Sequence, residues 1–333
     1  MKTKFYSSVL LLVGIGMLPT MNVSAQPEKQ SVAQITLVPP VSTNGANAAR
    51  YTNVFSFNVL IGISENEKAL TFGSLANVIG NHSGGLQFAG LYNRVGNEGE
   101  GMLFSGLLNT VVNNYSGLQF AGLANTTKEM KGLQFAGLAN VAGDVDGFQF
   151  AGLMNVAKNV SGVQFAGLIN VAENSDCPIG LINLIKNGEM GVSVTYNEMG
   201  SAMATFRSGG KYMYGLLGLG YNFKTKGNAL VSTGGIGARI NLTSWLRINH
   251  ELSGETISNF SRETTFRVVY ALMPAFKISK RFEIFGGPTV NYMQTNNLKN
   301  VNLFPGHPLW KGWGTSRLQQ VYLGYQVGVQ IIL

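Results

Sequence analysis

Gly117-Leu118-Gln119-Phe120-Ala121-Gly122-Leu123-Ala124-Asn125 is followed by Gly132-Leu133-Gln134-Phe135-Ala136-Gly137-Leu138-Ala139-Asn140, and the same phrase recurs at Gly85–Asn93, Gly147–Asn155 and Gly162–Asn170. A looser copy reads Gly101-Met102-Leu103-Phe104-Ser105-Gly106-Leu107-Leu108-Asn109. From Gly85 onward the leading glycines are 16, 16, 15, 15 and 15 residues apart. Degenerate copies at Phe72–Asn77 and Ile179–Asn183 flank the array. A fixed step of this kind marks units that each bury an apolar face against their neighbours. Within a unit, Leu86 and Phe88 alternate with Gln87 and Ala89, the period of a strand. Gly90 permits a bend, after which Leu91 and Asn93 resume the alternation. Most of the charge sits in the connectors, Lys128-Glu129-Met130-Lys131 and Gly143-Asp144-Val145-Asp146 among them. An apolar residue recurs at their third position: Tyr115, Met130, Val145 and Val160.

Two architectures satisfy this pattern. In a parallel β-solenoid each unit is one coil, and equivalent residues stack about 4.8 Å apart. Phe88, Phe104, Phe120, Phe135, Phe150 and Phe165 would then form an internal ladder. Asn93, Asn109, Asn125, Asn140, Asn155 and Asn170 would form a hydrogen-bonded amide ladder. The alternative is one larger continuous antiparallel barrel with a strand per unit. Barrel turns alternate short and long, whereas these connectors are uniform, which favours the solenoid.

From residue 191 the pattern lengthens into eight alternating strands: 191–197, 200–207, 211–223, 229–242, 244–253, 263–277, 281–293 and 318–333. In the last, Val321, Leu323, Tyr325, Val327, Val329 and Ile331 face one way, and Gln320, Tyr322, Gly324, Gln326, Gly328 and Gln330 the other. One apolar face and one small or polar face suit an outer-membrane barrel wall. Eight strands leave an interior just wide enough for side chains. Alternation therefore sends Arg239, Arg247, Glu251, Arg267 and Glu283 into the lumen, where the expectation is one interior network of paired charges.

The ends of the chain and its composition fit export. Residues 1–25 read as a signal peptide: Lys2 and Lys4, the apolar run Val9–Leu18, then Val23-Ser24-Ala25 before Gln26. The apolar run is too short to span a bilayer. Residues 26–52, with Pro39-Pro40, read as a linker, 53–190 as the repeat array and 191–333 as the barrel. The 333 residues include 43 Gly, and only 12% are charged against 45% hydrophobic. That composition excludes disorder and disfavours a helical bundle. One Cys excludes an intrachain disulfide. Residues 26–200 hold 8 basic and 12 acidic groups, and residues 201–333 hold 14 basic and 4 acidic. A basic barrel rim suits anionic headgroups, and no nucleic-acid reader motif accompanies it.

The Gly-Leu-Gln-Phe-Ala-Gly-Leu-x-Asn units resemble the exported surface-repeat proteins of Bacteroidota. So do the closing Pro178-Ile179-Gly180-Leu181-Ile182-Asn183 and the later Arg207-Ser208-Gly209-Gly210-Lys211-Tyr212. The resemblance implies a Gram-negative cell envelope, and it brings no activity and no catalytic residue.

The remaining candidates are weak. Asp144-Val145-Asp146-Gly147 begins like a calcium loop but lacks the bidentate Glu. Cys177 suits a small buried apolar position. His250 and Glu251 are adjacent and so point apart on a strand, which argues against a Ser–His pair with Ser253. Gly215–Gly220 lacks the helix that a phosphate loop needs. Trp310 and Trp313 suit an interfacial belt or an extracellular binding loop. The sequence therefore reads as a non-enzymatic outer-membrane or cell-surface repeat protein without a cofactor. Its partners would be outer-membrane lipid and an extracellular ligand. A lipid-modifying barrel enzyme and a pore are the alternatives.

Overall fold

The computed structural model describes residues 29–225, 229–258, 264–296, 307–313 and 317–333. The signal peptide at 1–25 lies outside them, as does much of the segment holding Trp310 and Trp313. Apart from one short 3-10 helix, Gly45–Arg50, the described elements are strands in two sheets.

The first sheet is a parallel β-solenoid. A coil has a longer and a shorter strand, as in Asn159–Ala166 and Ile169–Ala172, and in places the shorter one runs on into the next longer one, as in Ala124–Ala136 and Ala139–Ala151. Neighbouring coils pair in register with the repeat: Gln119 lies opposite Gln134 and Phe120 opposite Phe135, and where the step is 16 residues Phe88 lies opposite Phe104. The leading glycines are obligatory. Gly132 has φ +120°, and a Cβ there would collide with the Gly117 carbonyl of the coil before it. The core runs along the axis as Ile79, Val95, Leu103, Val111, Tyr115, Met130, Val145, Val160 and Ile185. The apolar third position of each connector thus points inward.

Residues 26–28 lie outside the described residues, and residues 29–52 are not a linker. Lys29–Val38 pairs in parallel with Tyr51–Asn58, Ala33 opposite Phe55, and makes the first coil. Its buried side chains are Gln34 and Thr36, while Val32, Ile35 and Leu37 are exposed. Polar residues on the inner face disguised it as loop.

The second sheet is a closed antiparallel barrel of eight strands: Glu189–Asn197, Ser201–Gly209, Met213–Asn222, Leu230–Asn241, Leu246–Ser258, Thr264–Lys277, Phe282–Thr295 and Leu318–Ile332. Closure is between the first and last, Val194 opposite Val329. A short strand, Trp310–Trp313, extends the wall beside the last one. The final solenoid coil abuts the barrel. The Asn183 N–H donates to Ser208 Oγ at 2.9 Å, and its side-chain amide donates to the Ser208 carbonyl at 3.2 Å. At this end the barrel turns are tight: Gly210–Tyr212, Leu242–Trp245 and Ile278–Arg281. The connections at the far end include the longer stretches 223–229, 259–263 and 296–317.

Candidate functional site: a charged lumen and a solenoid with polar ladders inside

Alternation fixes which side chains share a face but leaves open which face is inside. In the solenoid the answer is the reverse of the hydrophobic expectation. Gln87, Gln119, Gln134, Gln149 and Gln164 are fully buried, whereas Phe120, Phe150 and Phe165 are more than a third exposed. Phe88, Phe104 and Phe135 are also partly exposed. The internal phenylalanine ladder is therefore corrected to an external one. The rings stack coil on coil, with centroids 5.0 Å apart for Phe88 and Phe104, 4.6 Å for Phe120 and Phe135, and 5.1 Å for Phe150 and Phe165, except that Phe135 and Phe150 are tilted by 36° at 6.0 Å.

Behind the phenylalanines the amides form continuous chains. Asn93 donates to Asn109, Asn109 to Asn125, Asn125 to Asn140, Asn140 to Asn155 and Asn155 to Asn170, each at 2.9 or 3.0 Å. The chain starts further back, Asn58 to Asn77 to Asn93, and ends at Asn183 against the barrel. From Asn77 to Asn155 each amide also donates to the phenylalanine carbonyl of the next coil, as Asn125 does to Phe135 at 2.7 Å, and Asn170 donates to the Ile179 carbonyl. That bond satisfies a carbonyl where the chain bends, so burying the amide carries no desolvation penalty. The glutamines make a second chain, Gln164 to Gln149 to Gln134 to Gln119. It breaks at Leu103, and Gln119 Nε2 and Gln87 Oε1 are left without partners.

Other solenoid groups are structural. Glu67 is buried among donors from Asn53, Ser56 and Thr71. Burial pushes its carboxyl above the usual range, against the pull of those hydrogen bonds. Burial, with the Asp176 carboxylate beside it, pushes the Cys177 thiol up and keeps it protonated. Asp144 accepts from Asn159 at 2.6 Å, in a surface row of polar turns.

In the barrel the two faces differ sharply. Val194, Leu219, Leu252, Tyr270, Leu323 and Ile331 stand exposed on the outer wall. Among the described outward positions of the eight strands, no Asp, Glu, Lys or Arg occurs. Trp245, stacked on Phe276, and Tyr212 mark the solenoid end, and Tyr221, Phe223 and Tyr325 the other.

The lumen holds the charge. Arg239, Arg247, Glu251, Arg267 and Glu283 all lie inside and are buried. They do not converge in one network. Arg247, Glu251 and Glu255 are four residues apart on one strand face, so successive charges stand about 13 Å apart along it. Three tiers result. Nearest the solenoid, Arg247 bridges Glu189 and Glu283 at 2.8 Å each, with Arg239 and Lys277 also facing Glu189. In the middle, Arg207 grips Glu251 through Nε at 2.7 Å and Nη2 at 3.1 Å and also donates to Ser193. Tyr214 donates to Glu251 as well. At the far end Arg267 bridges Glu198 at 2.6 Å and Glu255 at 2.9 Å, and contacts the Tyr322 hydroxyl.

Sequence reasoning missed Glu189, Glu198, Arg207, Glu255 and Tyr214, and it placed Tyr322 on the polar face without a partner. Ending the fifth strand at 253 excluded Glu255, although it continues the face of Arg247 and Glu251. The other signal lay in the count: three arginines against two glutamates demanded further acids.

A polar cleft of about 490 Å³ lies between the last coil and the barrel mouth, lined by Asp176, Glu189, Lys211, Arg239, Arg247 and Lys277 among others. His250 sits on the outer wall with Nδ1 2.9 Å from the Tyr270 hydroxyl, away from Glu251 in the lumen. Gly215–Gly220 is barrel strand. Among the described residues no group of His, Cys, Asp and Glu could hold a metal ion.

No family model matches the chain, and no curated protein matches it. A solved structure, a de novo designed transmembrane β-barrel, aligns with 44% of this chain and 93% of its own at 13% identity and a TM-score of 0.26.

Proposed function

We propose that the protein is a non-enzymatic outer-membrane protein of a Gram-negative envelope, in which the barrel is the anchor and the solenoid the working part. The observation that carries this reading is that, among the described residues of the eight strands, no Asp, Glu, Lys or Arg lies on the outer face and each such charge faces the lumen. A charge on the lipid face costs about 2–4 kcal/mol near the midplane, and a lumenal one does not. Eight strands with the lumen filled by side chains support an anchor over a pore. Short turns mark the periplasmic end of outer-membrane barrels. The tight turns here adjoin the solenoid, so the solenoid is assigned to the periplasmic side, with a structural or binding role there. Protease added to intact cells should spare the solenoid, and should cut its connectors once the outer membrane is permeabilised. Cleavage within 53–190 on intact cells would overturn the assignment of sides, and recovery of the protein solely in the soluble periplasm would overturn the anchor.

A further inference from the structure

The solenoid has an amphipathic cross-section that its buried ladders do not require. From Phe72 to Phe165 one rim of each coil carries a phenylalanine and, at the bend, a leucine, with Ile179 in the phenylalanine position of the last coil. Leu91, Leu107, Leu123, Leu138, Leu153 and Leu168 are all exposed. The opposite rim carries Lys128, Glu129, Asp144, Asp146 and Lys158, also exposed. Between the phenylalanine column and the glycine–leucine bends runs a groove of about 730 Å³. A continuous apolar strip spanning so many coils far exceeds the scattered apolar exposure of a soluble surface.

One observation says what covers it, and a second shows that the backbone permits it. The first is continuity. Leu181 is the next bend after Leu168, and it lies against the outside of the barrel. A Cβ on Gly234 would come 3.6 Å from Leu181 Cδ2 and 3.8 Å from Leu217 Cδ1. Gly234 and Leu217 are paired residues of the outer wall, and at Gly215 the lack of a side chain lets the Gly180-Leu181 backbone press onto that wall. The leucine column thus leads straight onto the face assigned to lipid. The second is the backbone of the bends. Irregular backbone tolerates hydrocarbon only when its polar groups are satisfied internally. Here the Leu138 N–H donates to the Leu123 carbonyl at 3.0 Å, Ala139 to that same carbonyl at 3.0 Å, and Gly137 to the Ala121 carbonyl at 3.2 Å. The same bonds recur at Leu107, Leu123, Leu153 and Leu168. The Phe135 carbonyl is taken by Asn125. The charged rim is closed in the same way, with the Lys128 and Glu129 N–H groups both donating to the Asn113 carbonyl, so the closure permits burial in hydrocarbon and the continuity of the leucine column argues for it.

We propose that the phenylalanine–leucine rim of the solenoid lies in the hydrocarbon of the same membrane as the barrel, in the leaflet next to the tight turns. The partner is lipid acyl chain, and the charged rim faces water. The proposal rests on the reading of the barrel as a membrane anchor, so its test must separate the two. Leu138→Cys, Val327→Cys and Lys128→Cys are made singly on the full chain with Cys177→Ser, and each is labelled with an environment-sensitive fluorophore. The proteins are reconstituted into phosphatidylethanolamine–phosphatidylglycerol vesicles doped with phosphatidylcholine that carries a nitroxide on its acyl chain. The label at Leu138 should be quenched as strongly as the barrel label at Val327, and the label at Lys128 should keep its emission. Quenching at Val327 without quenching at Leu138 overturns the proposal and leaves the anchor standing. Should unlabelled Leu138→Cys chains then form an intermolecular disulfide under a mild oxidant, a second copy covers the rim. Quenching at neither position removes the anchor, and the proposal with it.

Discussion

At the scale of single residues, the repeat is held by side chains that composition would place on the surface. Gln119 and Gln134 look solvent-facing beside Phe120 and Phe135, and the alternation alone cannot say otherwise. What decides is the stacking of identical amides: a buried glutamine meets another one coil away, so each satisfies its neighbour. Leu103 tests that logic. It stands where the series calls for glutamine, between Gln87 and Gln119, and leaves Gln119 Nε2 and Gln87 Oε1 without partners. Leu103→Gln should supply an acceptor to the first and a donor to the second. Each hydrogen bond contributes about 0.5–1.5 kcal/mol, partly offset by the loss of a well-packed leucine. The expected outcome is a gain in the chemical denaturation midpoint of the solenoid. A drop equal to an ordinary core polar substitution would show that the glutamine chain is incidental.

At the scale of the element, the coil period, the parallel stacking and the asparagine positions were readable from the 15- and 16-residue steps, because register follows directly from sequence spacing. The sidedness was not. The same failure hid the first coil, where Gln34 and Thr36 are buried and Ile35 exposed. Both errors come from applying the hydrophobic-inside rule to an element whose outer face is itself apolar. The asparagine chain gives the element a testable grading. Asn140 accepts from Asn125, donates to Asn155 and donates to the Phe150 carbonyl. Asn58 starts the chain, makes one link to Asn77, and already has an unpartnered Oδ1. Asn140→Leu takes a partner from the Asn125 amide, the Asn155 side-chain oxygen and the Phe150 carbonyl, each buried loss costing about 1–3 kcal/mol. Asn58→Leu leaves only the Asn77 oxygen short. Urea unfolding followed by far-UV circular dichroism should rank Asn140→Leu well below Asn58→Leu, and equal losses would refute a cooperative ladder.

At the scale of the whole molecule, the barrel and the phenylalanine side of the solenoid use the same device, polar groups paired in the interior behind an apolar exterior. The barrel strands were legible nearly to the residue, since long uninterrupted alternation is the least ambiguous signal a sequence carries. The lumen was legible only in part, because charges near strand ends, such as Glu189 and Glu198, belong to a pattern only once the barrel closes. With them the lumen balances: Arg207, Arg239, Arg247, Arg267 and Lys277 face Glu189, Glu198, Glu251, Glu255 and Glu283. Balance of this sort predicts a sharp asymmetry between breaking a pair and removing it. Arg267→Met strands Glu255, which is buried and retains only long contacts of 3.4 Å from Asn197 and Ser201. An uncompensated buried charge costs about 3–5 kcal/mol, whereas replacing both partners by apolar groups of similar volume is often neutral. Glu198 lies nearer the mouth and is partly exposed, so water can take over part of its solvation. Arg267→Met should therefore lower the thermal unfolding midpoint of the detergent-folded protein strongly, and adding Glu255→Leu should recover most of the loss. The coupling between the two sites would then exceed the ~0.5 kcal/mol at which independent sites cease to add. If the double variant is as unstable as the two single losses combined, the tiers are not paired charges in a closed lumen, and the side chains that fill the barrel must hold it together in some other way.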